Sequence, residues 1–104
     1  KSIGQRTSYT TSKYAIKGMT KTMAIELANK NILVNSVSPG FTNTELTSKI
    51  LSEKQKDNLI KKVPMDRMAE PSEIANVVAF LCSDFNTYIT GQDIVVDGGF
   101  LISW

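Results

Sequence analysis

The chain has 104 residues, the size of one small domain, and its apolar fraction of 41% is too high for disorder. A formal charge of +2, with the lysines scattered rather than massed, gives no footprint for nucleic acid or an acidic membrane, and no apolar run approaches the ~18 residues of a membrane span. Without histidine there is neither a Ser-His-Asp triad nor a histidine-rich metal site, and the single Cys82 cannot close an internal disulfide, which fits a reducing cytoplasm.

In chain order, Lys1-Ser2-Ile3-Gly4-Gln5-Arg6 has no initiator methionine and no apolar signal core, and reads as a chain entered midway. A helix is predicted from Tyr9 to about Asn29. Ile16, Met19, Met23 and Leu27 recur at intervals of three and four, and Ala15, Gly18 and Thr22 form a small-residue row beside them. The small-residue row would let another helix approach closely, and both rows are equally well read as core. Lys17 and Lys21 continue the row of Tyr9 and Lys13 as a solvated edge, Glu26 and Lys30 make an i, i+4 pair, and Asn29-Lys30-Asn31 supplies the C-cap.

Ile32 to Ser38 reads as a strand stopped by Pro39-Gly40. Thr44 to about Val63 is mostly helical but amphipathic only in patches, which suits a mobile cover better than a core helix. Glu70-Pro71-Ser72-Glu73 opens another helix, with proline in the first turn and acids at the positive end of the dipole. Its buried stripe is Ile74, Val77, Val78 and Leu81, and it ends near Ser83-Asp84. A second strand, Asp93–Val96, follows Thr90-Gly91 and closes at Asp97-Gly98-Gly99. Strand, helical crossover, strand is the grammar of a parallel α/β sheet, although two strands are few for a sheet whose two faces both need cover.

The chemistry-bearing feature is Tyr9-x-x-x-Lys13. Four residues apart on a helix, the two side chains share one face, and a fixed ammonium beside a phenol favours the phenolate, a plausible proton donor and acceptor for a carbonyl. Alone the pair is weak, since chance would supply it in about a third of chains of this composition. Its context is more specific. Tyr9-Thr10-Thr11-Ser12-Lys13 is followed by Val34-Asn35-Ser36-Val37-Ser38-Pro39-Gly40 and Thr42-Asn43-Thr44. Then come Pro71-Ser72-Glu73-Ile74-Ala75, and Ile89-Thr90-Gly91-Gln92 leading into Asp97-Gly98-Gly99. In that order these segments resemble the C-terminal half of a short-chain dehydrogenase/reductase, and the text is most similar to the 3-oxoacyl-[acyl-carrier-protein] reductases and their sugar- and polyol-oxidising cousins.

The resemblance implies a single domain portion over 1–104: two parallel strands and about three helices of a doubly wound Rossmann-type α/β sheet whose dinucleotide-binding N-terminal half lies outside the chain. It implies that Tyr9 is the general acid or base and that Lys13 holds the ribose of NAD or NADP and supports Tyr9. By the same resemblance, Pro39 and Gly40 border the cofactor crevice, the backbone of Thr42 meets the carboxamide, and Thr44 bonds the pyrophosphate. Thr44 reads equally well as a plain helix N-cap. The implied substrate is a small or acyl-carrier-bound carbonyl compound, the implied assembly a homodimer or homotetramer, and the compartment cytoplasmic.

Some matches are missing. The glycine-rich turn, the residue that selects NAD or NADP, and the catalytic serine and asparagine would all precede Lys1. Ser2, Ser8 and Ser12 stand too close to Tyr9 to serve as that serine. The alternative expectation is a catalytically incompetent piece that acts by association. Asp97-Gly98-Gly99 is expected to be a turn and not a metal or phosphate site, Arg67 to be structural, and Met19, Met23, Met65 and Met68 to be packing residues. Trp104 is either a packed terminus or an exposed one.

Overall fold

Two parallel strands carry the fold, and the helices around them outnumber them. The structure is a computed structural model that describes residues 6–103, so the expectations for Lys1–Gln5, Ser2 among them, and for Trp104 fall outside the described residues. Helix α1 spans Thr7–Leu27 and passes through a 3-10 turn, Ala28–Lys30, into Asn31. Asn31 is left-handed (φ 57°, ψ 34°) and donates its N–H to Ala28 O, so the cap forms where Asn29-Lys30-Asn31 placed it. Glu26 and Lys30 straddle the change from α to 3-10 geometry, and the ion pairs among the described residues do not include them.

The face that α1 turns inward differs from the apolar stripe. Thr20 and Ala24 are buried, whereas Ile16, Met19 and Met23 are 42%, 56% and 37% exposed. Ala15, Gly18 and Thr22 are exposed as well, and a Cβ built on Gly18 would meet nothing. The helix touches the sheet through the row Lys17, Thr20, Ala24, which leaves both rows read as core facing outward.

Strand β1 is Ser36–Pro39 and β2 is Asp93–Val96, paired in parallel with Ser36 opposite Asp93 and Pro39 opposite Val96. The strand expected from Ile32 is therefore shorter at its start. Side chains replace the ladder there: Val34 N–H donates to Thr90 Oγ1 (3.0 Å), Asn35 Nδ2 donates to Ile89 O (2.7 Å) and Asn35 Oδ1 accepts from Gln92 N–H (3.1 Å). These bonds satisfy the backbone without strand geometry. At the other end Pro39 lies inside the strand, and Gly40 N–H still donates to Val96 O at 2.9 Å.

Between the strands the chain makes α2 (Glu45–Ile50), α3 (Glu53–Ile60) and α4 (Pro71–Leu81). The predicted Thr44–Val63 segment is thus two short helices. Leu51 and Ser52 take extended backbone, and Ser52 forms a reciprocal capping box with Gln55 that starts α3 afresh. Helix α4 begins as expected, with Pro71 at its first turn and Glu73 folded back to the Glu70 N–H (2.8 Å). Ile74, Val77 and Leu81 are half-buried, while Val78 is exposed. Asp97-Gly98-Gly99 is the expected turn: both glycines have positive φ, and Asp97 accepts from the N–H groups of Gly99 and Leu101.

Candidate active site

Two contacts fix the direction of α1. Ala24 lies against Gly91, before β2, and Lys17 pairs with Asp93, the first residue of β2. Moving backward along α1 therefore moves forward along the strands, so the helix runs antiparallel to them. Tyr9 lies eight residues before Lys17, about 12 Å along a helix, and Gly40 lies four residues beyond Ser36, about 13 Å along a strand. Tyr9 therefore falls toward the carboxyl end of the sheet. That is where ligands sit in open parallel sheets.

Tyr9 and Lys13 come together as the spacing required. Lys13 Nζ is 5.6 Å from the centroid of the Tyr9 ring, and the guanidinium of Arg6 is 5.9 Å from it. Tyr9 is 54% exposed. Two cations thus flank one phenol ring. The Tyr-x-x-x-Lys pattern gave no sign of Arg6, whose place beside Tyr9 follows from the first turn of α1, where Arg6 O accepts from Thr10 N–H at 2.8 Å.

Pro39, Gly40, Thr42 and Thr44 form the loop that leaves β1. Gly40 approaches Asp97 so closely that a Cβ would lie 2.7 Å from Asp97 Cα. The loop is then tied to the entrance of α4: Asn43 N–H donates to Ala69 O (2.8 Å), Ala69 N–H to Phe41 O (2.9 Å), and Asn43 Nδ2 to Glu70 Oε1 (3.2 Å). The bidentate pair of Arg67 and Glu73, at 2.7 Å for each contact, braces that entrance, which confirms a structural role for Arg67. Among the described residues Thr42 N–H has no partner, while Thr42 O accepts from Thr47 Oγ1 at 2.9 Å.

Thr44 is the N-cap of α2. Its Oγ1 accepts from Thr47 N–H (3.2 Å) and lies 2.9 Å from Thr47 Oγ1. The single hydroxyl proton of Thr47 is committed to Thr42 O, so Thr44 must be the donor between the two hydroxyls.

No hydrogen bond or ion pair joins the Tyr9–Lys13 pair to the 39–44 loop among the described residues. A small cavity lined by Phe41, Met65, Arg67, Val96 and Asp97 lies beside the loop and does not include Tyr9 or Lys13. Among the described residues there is also no acidic or cysteine cluster able to hold a metal, and no helix long and apolar enough to cross a membrane. Lys17, expected on a solvated edge, is instead paired: its Nζ is 2.6 Å from Asp93 Oδ2.

Parallel strands with polar side chains gathered beyond their carboxyl ends define part of a doubly wound, Rossmann-type α/β domain. Residues 1–101 match the family described as Enoyl-(Acyl carrier protein) reductase. The chain is 47% identical over 97 residues to the 3-oxoacyl-[acyl-carrier-protein] reductase of Thermotoga maritima, covering 93% of this chain and 39% of the relative. Among solved structures, the acetoin dehydrogenase of Enterobacter cloacae superposes with a TM-score of 0.83 at 39% identity, covering 99% of this chain and 40% of the other. A short-chain dehydrogenase family protein from Francisella tularensis gives 0.88 at 36% identity, with 98% and 46% covered. The chain belongs to the short-chain dehydrogenase/reductase family, and it spans about two fifths of the length of the curated relatives it matches.

Proposed function

We propose that this chain is the part of an NAD(P)-dependent oxidoreductase that carries the proton-transfer residues, acting on a carbonyl compound or the corresponding alcohol. The observation that carries this reading is the placement of Lys13 Nζ 5.6 Å from the Tyr9 ring, on a helix whose start points toward the carboxyl end of the sheet. Relatives named as a 3-oxoacyl-[acyl-carrier-protein] reductase and an acetoin dehydrogenase support a carbonyl substrate, and the first favours an acyl-carrier-bound one.

The residues present fit a nicotinamide cofactor. The uncommitted Thr42 N–H lies just beyond β1 and would hold the carboxamide, with Pro39 and Gly40 forming the wall beside it. Lys13 would hold the ribose. Thr44 would bond the pyrophosphate only by turning its hydroxyl proton away from Thr47. When bound, the cofactor supplies or accepts the hydride. Tyr9 holds the proton at its phenolic oxygen and passes it to the substrate oxygen in reduction, taking it back in oxidation. The α2–α3 segment would cover the substrate, anchored by Thr47 at one end and by Val63 against Gly98 at the other.

A second reading, a module that acts only by association, draws on the exposed Tyr14, Met19 and Ile25 of α1. One experiment separates the two. In the full-length protein, Tyr9→Phe should abolish turnover and spare cofactor binding, and Lys13→Ala should weaken both. Normal kcat in Tyr9→Phe would refute the catalytic assignment.

A further inference from the structure

The Asp93 carboxylate gathers three side chains from two other elements. Lys17 Nζ of α1 lies 2.6 Å from Oδ2, and on β1 Ser36 Oγ and Ser38 Oγ donate to Oδ1 at 2.9 and 2.7 Å. Ser36 and Ser38 are two residues apart and so share one sheet face, the face on which α1 lies. Asp93 is only 18% exposed at its side chain. Burial opposes its ionisation, yet the hydrogen bonds from Lys17, Ser38 and Ser36 outweigh it and hold the carboxyl below its usual range. The bond to Asp93 in turn raises Lys17 above the ordinary lysine value. The pair is therefore charged throughout the neutral range, and every oxygen of the carboxylate is engaged.

Lys17 continues the row Tyr9, Lys13, one turn past Lys13 and two past Tyr9. The first turns of α1 have little else to hold them, since the buried residues of the helix are Thr20 and Ala24, both further on. We infer that the Lys17–Asp93 pair, seated on the Ser36 and Ser38 hydroxyls, is the positioning device for the Tyr9–Lys13 pair, fixing the roll and height of α1 on the sheet. A small rotation about the helix axis swings a tyrosine ring by more than an ångström, and misplacement on that scale costs a catalytic group up to about a hundredfold in rate. Lys17 is a positioning residue and touches no reacting atom.

This inference rests on the proposed role of Tyr9, and its test separates the two. The full-length protein is labelled with 13Cζ-tyrosine, and the Tyr9 resonance is assigned by its loss in Tyr9→Phe. Lys17→Met should shift that resonance in cofactor-free protein and lower the single-turnover rate constant by about ten- to a hundredfold. Lys17→Arg should restore both. Tyr14 shifts in either case, because Lys17 Nζ lies 5.7 Å from its ring. The single-turnover amplitude reports the folded fraction, so a purely structural loss lowers the amplitude and leaves the rate constant alone. Asp93→Asn, which keeps the shape and removes the charge, repeats the measurement should Lys17→Met fail to fold. The double variant should lose no more than either single one. An unchanged Tyr9 resonance, an unchanged rate constant, or an arginine no better than methionine overturns the inference. An active Tyr9→Phe enzyme overturns the proposed function instead.

Discussion

Gly40 shows how one residue can stand at a proposed ligand site and owe its identity to something else. It lies in the loop proposed to border the cofactor, yet a Cβ there would lie 2.7 Å from both Cα and Cβ of Asp97. The obstacle is partly backbone and cannot swing aside. Gly40→Ala must therefore push the loop off the turn at Asp97-Gly98-Gly99, an overpacking cost of about 1–3 kcal/mol. In the full-length protein that should appear as a lower urea midpoint with an unchanged slope. An alanine variant as stable as the wild type would show that the loop yields freely. Thr44 has the same double character: its oxygen accepts the capping bond of α2, and its one proton goes to Thr47 Oγ1, which any phosphate would have to displace. Tyr9 and Lys13 are simpler, since helix spacing alone brings them together.

Among the elements, α4 is bound to its surroundings by a charge-assisted clasp. The Arg67 hydrogen bonds, followed by the bond from the Glu70 N–H, hold the Glu73 carboxyl down from 4.5 to about 2. Because the folded value is the lower one, the stability it contributes is complete above the unfolded value. It is lost as pH falls from about 4.5 toward about 2. Glu73→Gln lacks that contribution at every pH, so the urea midpoints of wild type and variant should differ at neutral pH and converge near the bottom of this window. A constant gap down to the acid limit would show that the clasp is not electrostatic. The clasp also shows what could be read from the sequence. Glu70-Pro71-Ser72-Glu73 announces a helix start because capping is local, and Asp93–Val96 announces a strand because turn residues bound it. The start of β1 and the pairing of Lys17 depend on partners far along the chain that sequence spacing does not bring together: Thr90 for Val34, Asp93 for Lys17. The Ser52–Gln55 capping box was local and legible, but the run of helix-forming residues on either side masked it.

For the molecule as a whole, surface area decides the matter. A compact monomer of 11.5 kDa exposes about 5,800 Å², and this chain exposes 7929 Å². Its radius of gyration is 15.7 Å, against about 13 Å for a compact domain of this length. The buried apolar residues among those described are Ala24 and Val63, while Tyr14, Met19, Ile25, Phe85 and Tyr88 are exposed. The secondary structure is therefore well capped and the core is thin. Taken by itself, residues 1–104 should unfold over a broad transition, bind a hydrophobic dye, and sharpen their transition as concentration rises and the open faces cover one another. Calorimetry across a concentration series, with sedimentation on the same samples, reads both quantities. A sharp, concentration-independent transition from a monomer would mean that two strands and the clasped α4 suffice to fold. The outward-facing apolar row of α1 would then need an explanation other than a covering partner.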